Sequence, residues 1–148
     1  MPVFVAEVQQ ELPFDPDRLA VSLTQFLMRK GIDKQFHLIL VDDDYMADLN
    51  RRYRKGDGAT DVLSFDLGGS ELPDDETDGE VYVSLDRAES QAKERNIPMA
   101  EEVVRLSVHG LLHLIGYDHE EGGAEEQRML RETEDGVRHV MEEMDLLH

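Results

Sequence analysis

The sequence predicts a layered domain of the α/β or α+β class, with short strands and amphipathic helices interleaved on a small sheet. Three observations predict it. Four β-rich runs (3–8, 36–41, 61–65 and 80–85) alternate with segments whose apolar residues recur at helical spacing. The 148 residues are 40% hydrophobic, a globular composition with enough chain to bury a core. No internal repeat and no linker-like stretch divides the sequence, so one domain over 1–148 is expected.

The elements follow in order. Val3 to Val8 alternates and reads as a strand. Asp15 and Pro16 then supply an N-cap and a first-turn proline whose fixed φ suits a helix start. That helix runs through Leu19, Leu23, Phe26 and Leu27, and Gly31 closes it. Phe36 to Val41 is a second strand. Asp42, Asp43 and Asp44 place caps and negative charge at the start of a helix reaching about Arg54, where Gly56 and Gly58 break it. Asp61 to Phe65 and Glu80 to Leu85 are the third and fourth strands. Between them lies GGSELPDDETDGE, an acidic loop. Asp74, Glu76, Asp78 and Gly79 share the opening spacing of a calcium loop, but the closing glutamate position holds Leu85, so no calcium site is expected. Asp86 is the expected cap of a helix to Arg95. Pro98 separates that helix from a strongly apolar one reaching Tyr117, and a charged amphipathic helix spans about Ala124 to Met144.

Composition excludes several function classes. The chain has no cysteine, so there is no disulfide framework and no thiolate metal site; a bound metal must rely on His, Asp or Glu. The N-terminus MPVFVAEVQQELPFDPDR lacks a basic n-region and a long apolar h-region. No stretch approaches roughly 18 consecutive apolar residues, so a cytoplasmic protein without a membrane partner is expected. The formal net charge is −19, a field that repels nucleic acid unless a local basic patch intervenes. The cluster Arg51, Arg52, Arg54 and Lys55 is the candidate patch. Eleven of the 15 basic residues are arginine, the side chain better suited to bidentate phosphate contacts. The acidity otherwise reads as solubility or adaptation to salt.

The chemistry lies in LSVHGLLHLIGYDHEEGG, residues 106–123. His109 and His113 are four apart on a helix, neighbours on one face about 6 Å apart along the axis. Gly116 can end that helix in a left-handed conformation and swing His119 back toward them. Three neutral imidazoles leave a fourth zinc position for water, the arrangement of a catalytic site, and water so bound has a pKa near ~7. One Zn2+ on His109, His113 and His119 plus water is therefore expected, although the same donors suit nickel, copper or iron. Two histidines at this spacing alone would read as core residues bonded to backbone; the placed glycine and the third histidine favour the metal. Asp118 is a candidate to orient a ligand imidazole, or a plain turn residue. His37, His139 and His148 read as non-ligands.

The spacing H-x-x-x-H-x-x-G-x-x-H is that of metzincin proteases, whose general-base glutamate would fall at position 110. Here it is Gly110. Nothing adjacent then takes the water's proton and hands it to a leaving amine, so a zincin-like scaffold is expected without protease chemistry. A second segment, LNRRYRKGDGATDVLSF at 49–65, ends a helix in arginines before a glycine-bearing loop. Arg54 is placed to neutralise charge on a pentacoordinate phosphate beside the metal. Equally, these cations can form a solvated helix end that suits the macrodipole.

The runs HGLLHLIGYDHE at 109–120, LNRRYR and TDVLSF within 49–65, and GEVYVSLDRA at 79–88 closely resemble the YbeY family of bacterial endoribonucleases and rRNA maturation factors. The resemblance covers roughly residues 36–134 in the expected order. It implies an α+β domain with a mixed sheet of about four strands beside a metal-bearing helix, about five helices in all. It implies zinc on His109, His113 and His119, and Arg54 and His113 as catalytic residues. The implied activity is single-strand-specific cleavage of RNA in small-subunit (16S) rRNA 3′-end maturation and ribosome quality control. The implied partners are rRNA, the small ribosomal subunit and its proteins, with no DNA. Ala59 and Asp66 stand where the family commonly has proline, a difference in loop rigidity. The net charge fits recruitment through a ribosomal or protein partner. Two alternatives remain: a ribosome-assembly factor whose metal only holds the fold, and a metallopeptidase, against which Gly110 argues.

Overall fold

The computed structural model describes residues 3–7, 12–53, 60–67, 78–116 and 124–144. Within them the order is β1 (Val3–Glu7), α1 (Pro16–Arg29), β2 (Phe36–Val41), α2 (Asp43–Tyr53), β3 (Val62–Asp66), β4 (Gly79–Ser84), α3 (Leu85–Arg95), α4 (Met99–Leu114) and α5 (Ala124–Glu143). The strands form a four-stranded sheet in the order β1-β2-β4-β3. β1, β2 and β4 are parallel, and β3 runs antiparallel to β4 at the edge. The fold is α+β with a mixed sheet.

Strand periodicity sorts the layers. Phe36, Leu38 and Leu40 of β2 and Val81 and Val83 of β4 share a core with Leu19, Leu23 and Leu27 of α1 and with Val104, Val108 and Leu111 of α4. The alternate residues Ile39, Leu63, Phe65 and Tyr82 pack instead with Met46 and Leu49 of α2. Thus α2 covers one face of the sheet, and α1 and α4 cover the other. α5 packs on α4 and α1. Enclosed in this way, α4 buries ten of its 16 residues, which explains its apolar sequence. Each buried aliphatic side chain contributes about 1.5–3 kcal/mol relative to exposure, so this helix is held firmly in place.

The caps explain the boundaries. The Asp15 carboxylate accepts from Asp17 N at 2.9 Å and opens α1. Gly31, at φ +75°, closes it: Ile32 N donates to Leu27 O and Gly31 N to Met28 O, each at 3.0 Å. Asp42 accepts from Tyr45 N at 2.8 Å and caps α2. The cap expected at Asp86 lies elsewhere. Ser84 caps α3, its hydroxyl accepting from Arg87 N at 3.1 Å, while Asp86 accepts from Asp43 N at 2.8 Å and so serves the start of α2. β4 ends at Ser84 rather than Leu85 for this reason. α4 ends at Leu114, short of Tyr117, with Ile115 and Gly116 (φ +108°) forming the exit turn.

One polar cluster ties three helices. Glu102 of α4 is fully buried and takes Arg95 of α3 at 3.1 Å and Arg105 at 3.5 Å; Arg105 also bonds Glu134 of α5 at 3.1 Å. Among the described residues, no helix is long and apolar enough to cross a membrane.

Candidate metal centre

α4 passes unusually close to the β3 edge, and Gly110 is the reason. A Cβ there would stand 2.5 Å from Val81 Cγ1, 3.1 Å from Ser64 Oγ and 3.2 Å from Val62 Cγ2. With only hydrogen at this position, the helix settles against the sheet and the Ser64 hydroxyl donates to the Gly110 carbonyl at 3.1 Å. The two residues flanking this contact on the helix surface are His109 and His113. They line one cavity of about 430 Å3 with Asn50 from α2, Thr60 and Asp61 ahead of β3, and Ser64. His109 is partly buried and His113 exposed. Asp61 is held from two sides: its carboxylate accepts from Gln91 Nε2 at 3.2 Å, and its backbone carbonyl accepts from Ser84 N at 2.9 Å.

The structure therefore brings His109 and His113 together. His119, Asp118, Arg54 and Lys55 lie outside the described residues, as does His148. Among the described residues, no three His, Asp or Glu side chains gather to hold an ion. The donors present do suit a borderline divalent cation: two imidazoles one helical turn apart open onto a cavity edged by amide, hydroxyl and carboxylate oxygens. Gly116, at the helix exit, has a positive φ. The remaining described histidines sit elsewhere. His37 is in β2 opposite Glu80, and His139 of α5 packs 6.3 Å from the Phe26 ring with its pKa pushed down by burial and by Arg29.

The basic cluster expected beside the metal is divided. Arg51 and Arg52 both pair with Asp48 of their own helix, at 3.8 and 3.2 Å. Arg52 lines a cavity on the opposite face of the sheet, against Tyr82. Helical geometry is the cause: residues two apart point some 200° apart, so Asn50 reaches the histidine cavity and Arg52 cannot. That opposite face carries an aromatic row. Tyr45 stacks on Tyr82 at 6.2 Å, Phe65 meets Tyr82 edge-on at 5.7 Å, and Tyr53 meets Phe65 edge-on at 5.8 Å. Burial, then the Glu80 carboxylate, pushes the Tyr82 phenol up to about 12.

Asn50, Asp61 as a cavity carboxylate, and Ser64 were not evident as site residues from sequence. The available signal was Ser64, a polar residue within an apolar strand, two positions from Val62 and hence on the same face.

Together these features define a class: small mixed-sheet α+β proteins with a cleft between a two-histidine helix and an edge strand. The endoribonuclease YbeY family model matches residues 7–141, and the chain belongs to the YbeY family. An endoribonuclease YbeY of Carboxydothermus hydrogenoformans is 47% identical over 118 residues, covering 80% of this chain and 78% of that one. The endoribonuclease YbeY of Pelotomaculum thermopropionicum is 38% identical, covering 93% and 95%. The solution structure of TM1509 from Thermotoga maritima superposes with a TM-score of 0.71 at 28% identity, over 95% of this chain and 90% of that chain.

Proposed function

We propose that this chain is a zinc-dependent endoribonuclease that cleaves single-stranded RNA. One observation carries the reading: in a member of the YbeY family, His109 and His113 open side by side onto one cavity that Asn50, Thr60, Asp61 and Ser64 also line. One zinc ion would be held by His109, His113 and His119, with water completing its shell. Bound there, zinc supplies a Lewis acid and water with a pKa near ~7. The chain's own residues do the rest. Arg54 holds the scissile phosphate and offsets its growing charge. Asp61, fixed by Gln91, presents an acceptor oxygen to the cavity. Ser64 clamps the histidine helix to the sheet.

The domain would be a single zincin-like unit over 1–148, acting in the cytoplasm on the 3′ end of small-subunit (16S) rRNA and in ribosome quality control. Its partners would be single-stranded rRNA and the small ribosomal subunit with its proteins. The net charge of −19 supports delivery by a protein partner rather than capture by long-range attraction. A peptidase is disfavoured on steric as well as chemical grounds, since the position for a general-base glutamate has no room for a Cβ.

The test combines metal analysis with cleavage of single- and double-stranded RNA by highly purified protein. His113→Ala should lose both metal and cleavage; Arg54→Ala and Arg54→Glu should keep metal and lose cleavage. Full cleavage by metal-free His113→Ala protein would end the proposal. A tightly metallated wild type without turnover would favour the non-catalytic assembly factor instead.

A further inference from the structure

Beside the histidine cavity lies a second one, of about 550 Å3, lined by Tyr53, Ser64, Phe65, Asp66, Leu67, His113 and Leu114. The two share His113 and Ser64, so they are adjoining compartments of one cleft. The second compartment sets the Tyr53 and Phe65 rings, Leu67 and Leu114 beside the polar residues Ser64, Asp66 and His113. Its volume lies within the range of about 300–1,000 Å3 typical of sites for small ligands.

Tyr53 is its unusual wall. It is the last residue of α2 and 63% exposed, yet its ring is fixed edge-on against Phe65, which packs in turn on Tyr82. Most of the ring is thus available to a ligand while its orientation is set in advance. Preorganisation of this kind lowers the entropy lost on binding.

We infer that this compartment is a nucleobase subsite: one base next to the scissile phosphate enters it and stacks on Tyr53. The inference rests on the endoribonuclease reading and adds how the substrate is held. Charge supports it. A chain at −19 gains little from phosphate attraction, and Arg51 and Arg52 are already paired with Asp48. Stacking on an aromatic ring does not depend on net charge and accepts any base. A cavity that begins at His113 and ends at an exposed, fixed ring supplies that contact one step from the candidate metal centre.

The test uses zinc-loaded protein and single-stranded RNA oligonucleotides in which an abasic ribose is moved through the positions flanking the cleavage point. For the wild type, one such position should raise KM about tenfold, the loss of one base–aromatic stack, with a smaller effect on kcat. Tyr53→Leu should show the raised KM on intact RNA and no further penalty from the abasic nucleotide. Tyr53→Phe, which keeps the ring, should behave as wild type. A Tyr53→Leu protein with wild-type KM, or with undiminished sensitivity to the abasic position, overturns the subsite while leaving the endoribonuclease reading intact. Unchanged RNA kinetics together with weakened binding to the small ribosomal subunit would assign Tyr53 to a protein partner and also overturn it. A wild type that cleaves no RNA refutes the endoribonuclease reading itself.

Discussion

Replacing Gly110 by alanine tests whether α4 rests on the sheet as closely as the structure shows. At an ordinary helix-interior position this substitution stabilises by about 1 kcal/mol, because glycine has more backbone freedom to lose on folding. Here the added methyl would meet Val81 Cγ1 at 2.5 Å, Ser64 Oγ at 3.1 Å and Val62 Cγ2 at 3.2 Å. Carbon atoms rest at about 3.5–4.0 Å, so something must move by about 1 Å. Val81 cannot yield easily: it is fully buried, mid-strand between two neighbours and β-branched, with a stiff χ1. Overpacking of this kind costs about 1–3 kcal/mol. Lifting the helix also strains the Ser64–Gly110 hydrogen bond, for about 1 kcal/mol more. Set against the propensity gain, the net loss is about 1–3 kcal/mol. Urea unfolding followed by circular dichroism should show it as a fall in midpoint of about 1 M with unchanged slope. Gly116→Ala is the control: it meets nothing within 4 Å, and its cost of about 1–2 kcal/mol comes only from its φ of +108°. An alanine at 110 that stabilises the protein would refute the close approach, and with it the steric argument against a glutamate there.

Three further outcomes are expected. Arg105→Ala should cost about 3 kcal/mol in chemical denaturation, because it leaves the fully buried Glu102 with only the half-exposed Arg95; Glu102→Leu on that background should recover part of the loss. For Tyr82, the folded protein holds the phenol proton more tightly than the unfolded chain, which titrates near ~10. Its contribution to stability is therefore full below about pH 10 and is lost as pH rises through about 12, and Tyr82→Phe should flatten that alkaline loss in pH-dependent unfolding. A chelator should lower the melting temperature by about 10 °C if the ion stabilises by about 4 kcal/mol at a thousandfold excess over its Kd. His109→Ala and His113→Ala should abolish that response, and His37→Ala should keep it; an unchanged melting curve in the wild type would count against a resident metal.

Much of this architecture is written locally. Asp15-Pro16 and Gly31 fix both ends of α1 because cap chemistry acts within one turn. The start of α3 shows where local reading slips. Ser84 and Asp86 are both good caps two residues apart, and the choice was made by a neighbour: α2 needed a partner for Asp43 N, and Asp86 supplies it. The apolar run L-L-H-L-I reads as helix to Tyr117, but the positive φ at Gly116 ends it earlier. Strand order was not legible, since β1 beside β2 beside β4 is decided by packing between distant segments. For the site, the spacing of His109 and His113 carries the information that they share a face. The arginines at 51 and 52 illustrate the converse. Closeness in sequence to a functional block does not say which face of the sheet their helix covers: both pair with Asp48 of their own helix, and Arg52 lies against Tyr82 on the face away from the histidine cavity.

The acidity of the chain gives a last, quantitative expectation for RNA binding. Each phosphate neutralised on a single strand contributes about −0.7 to the slope of log K against log salt. Among the described residues the histidine cavity is lined by no Lys or Arg, and the adjoining compartment by none either. Arg54 is then the principal phosphate contact in the proposed complex, and the slope should be about −0.7. Stacking on Tyr53 adds affinity without adding slope. The edge strand β3 makes this division physically reasonable: Ser64 faces the histidines and Phe65 faces the tyrosines, so a strand of RNA passing the edge meets polar chemistry on one side and a ring on the other. Fluorescence titrations of single-stranded RNA across a range of salt should give that shallow line, flattened further by Arg54→Ala and merely displaced by Tyr53→Leu. A slope of several units would show that cations bind the backbone extensively, and the argument that this acidic protein holds RNA by its bases would be wrong.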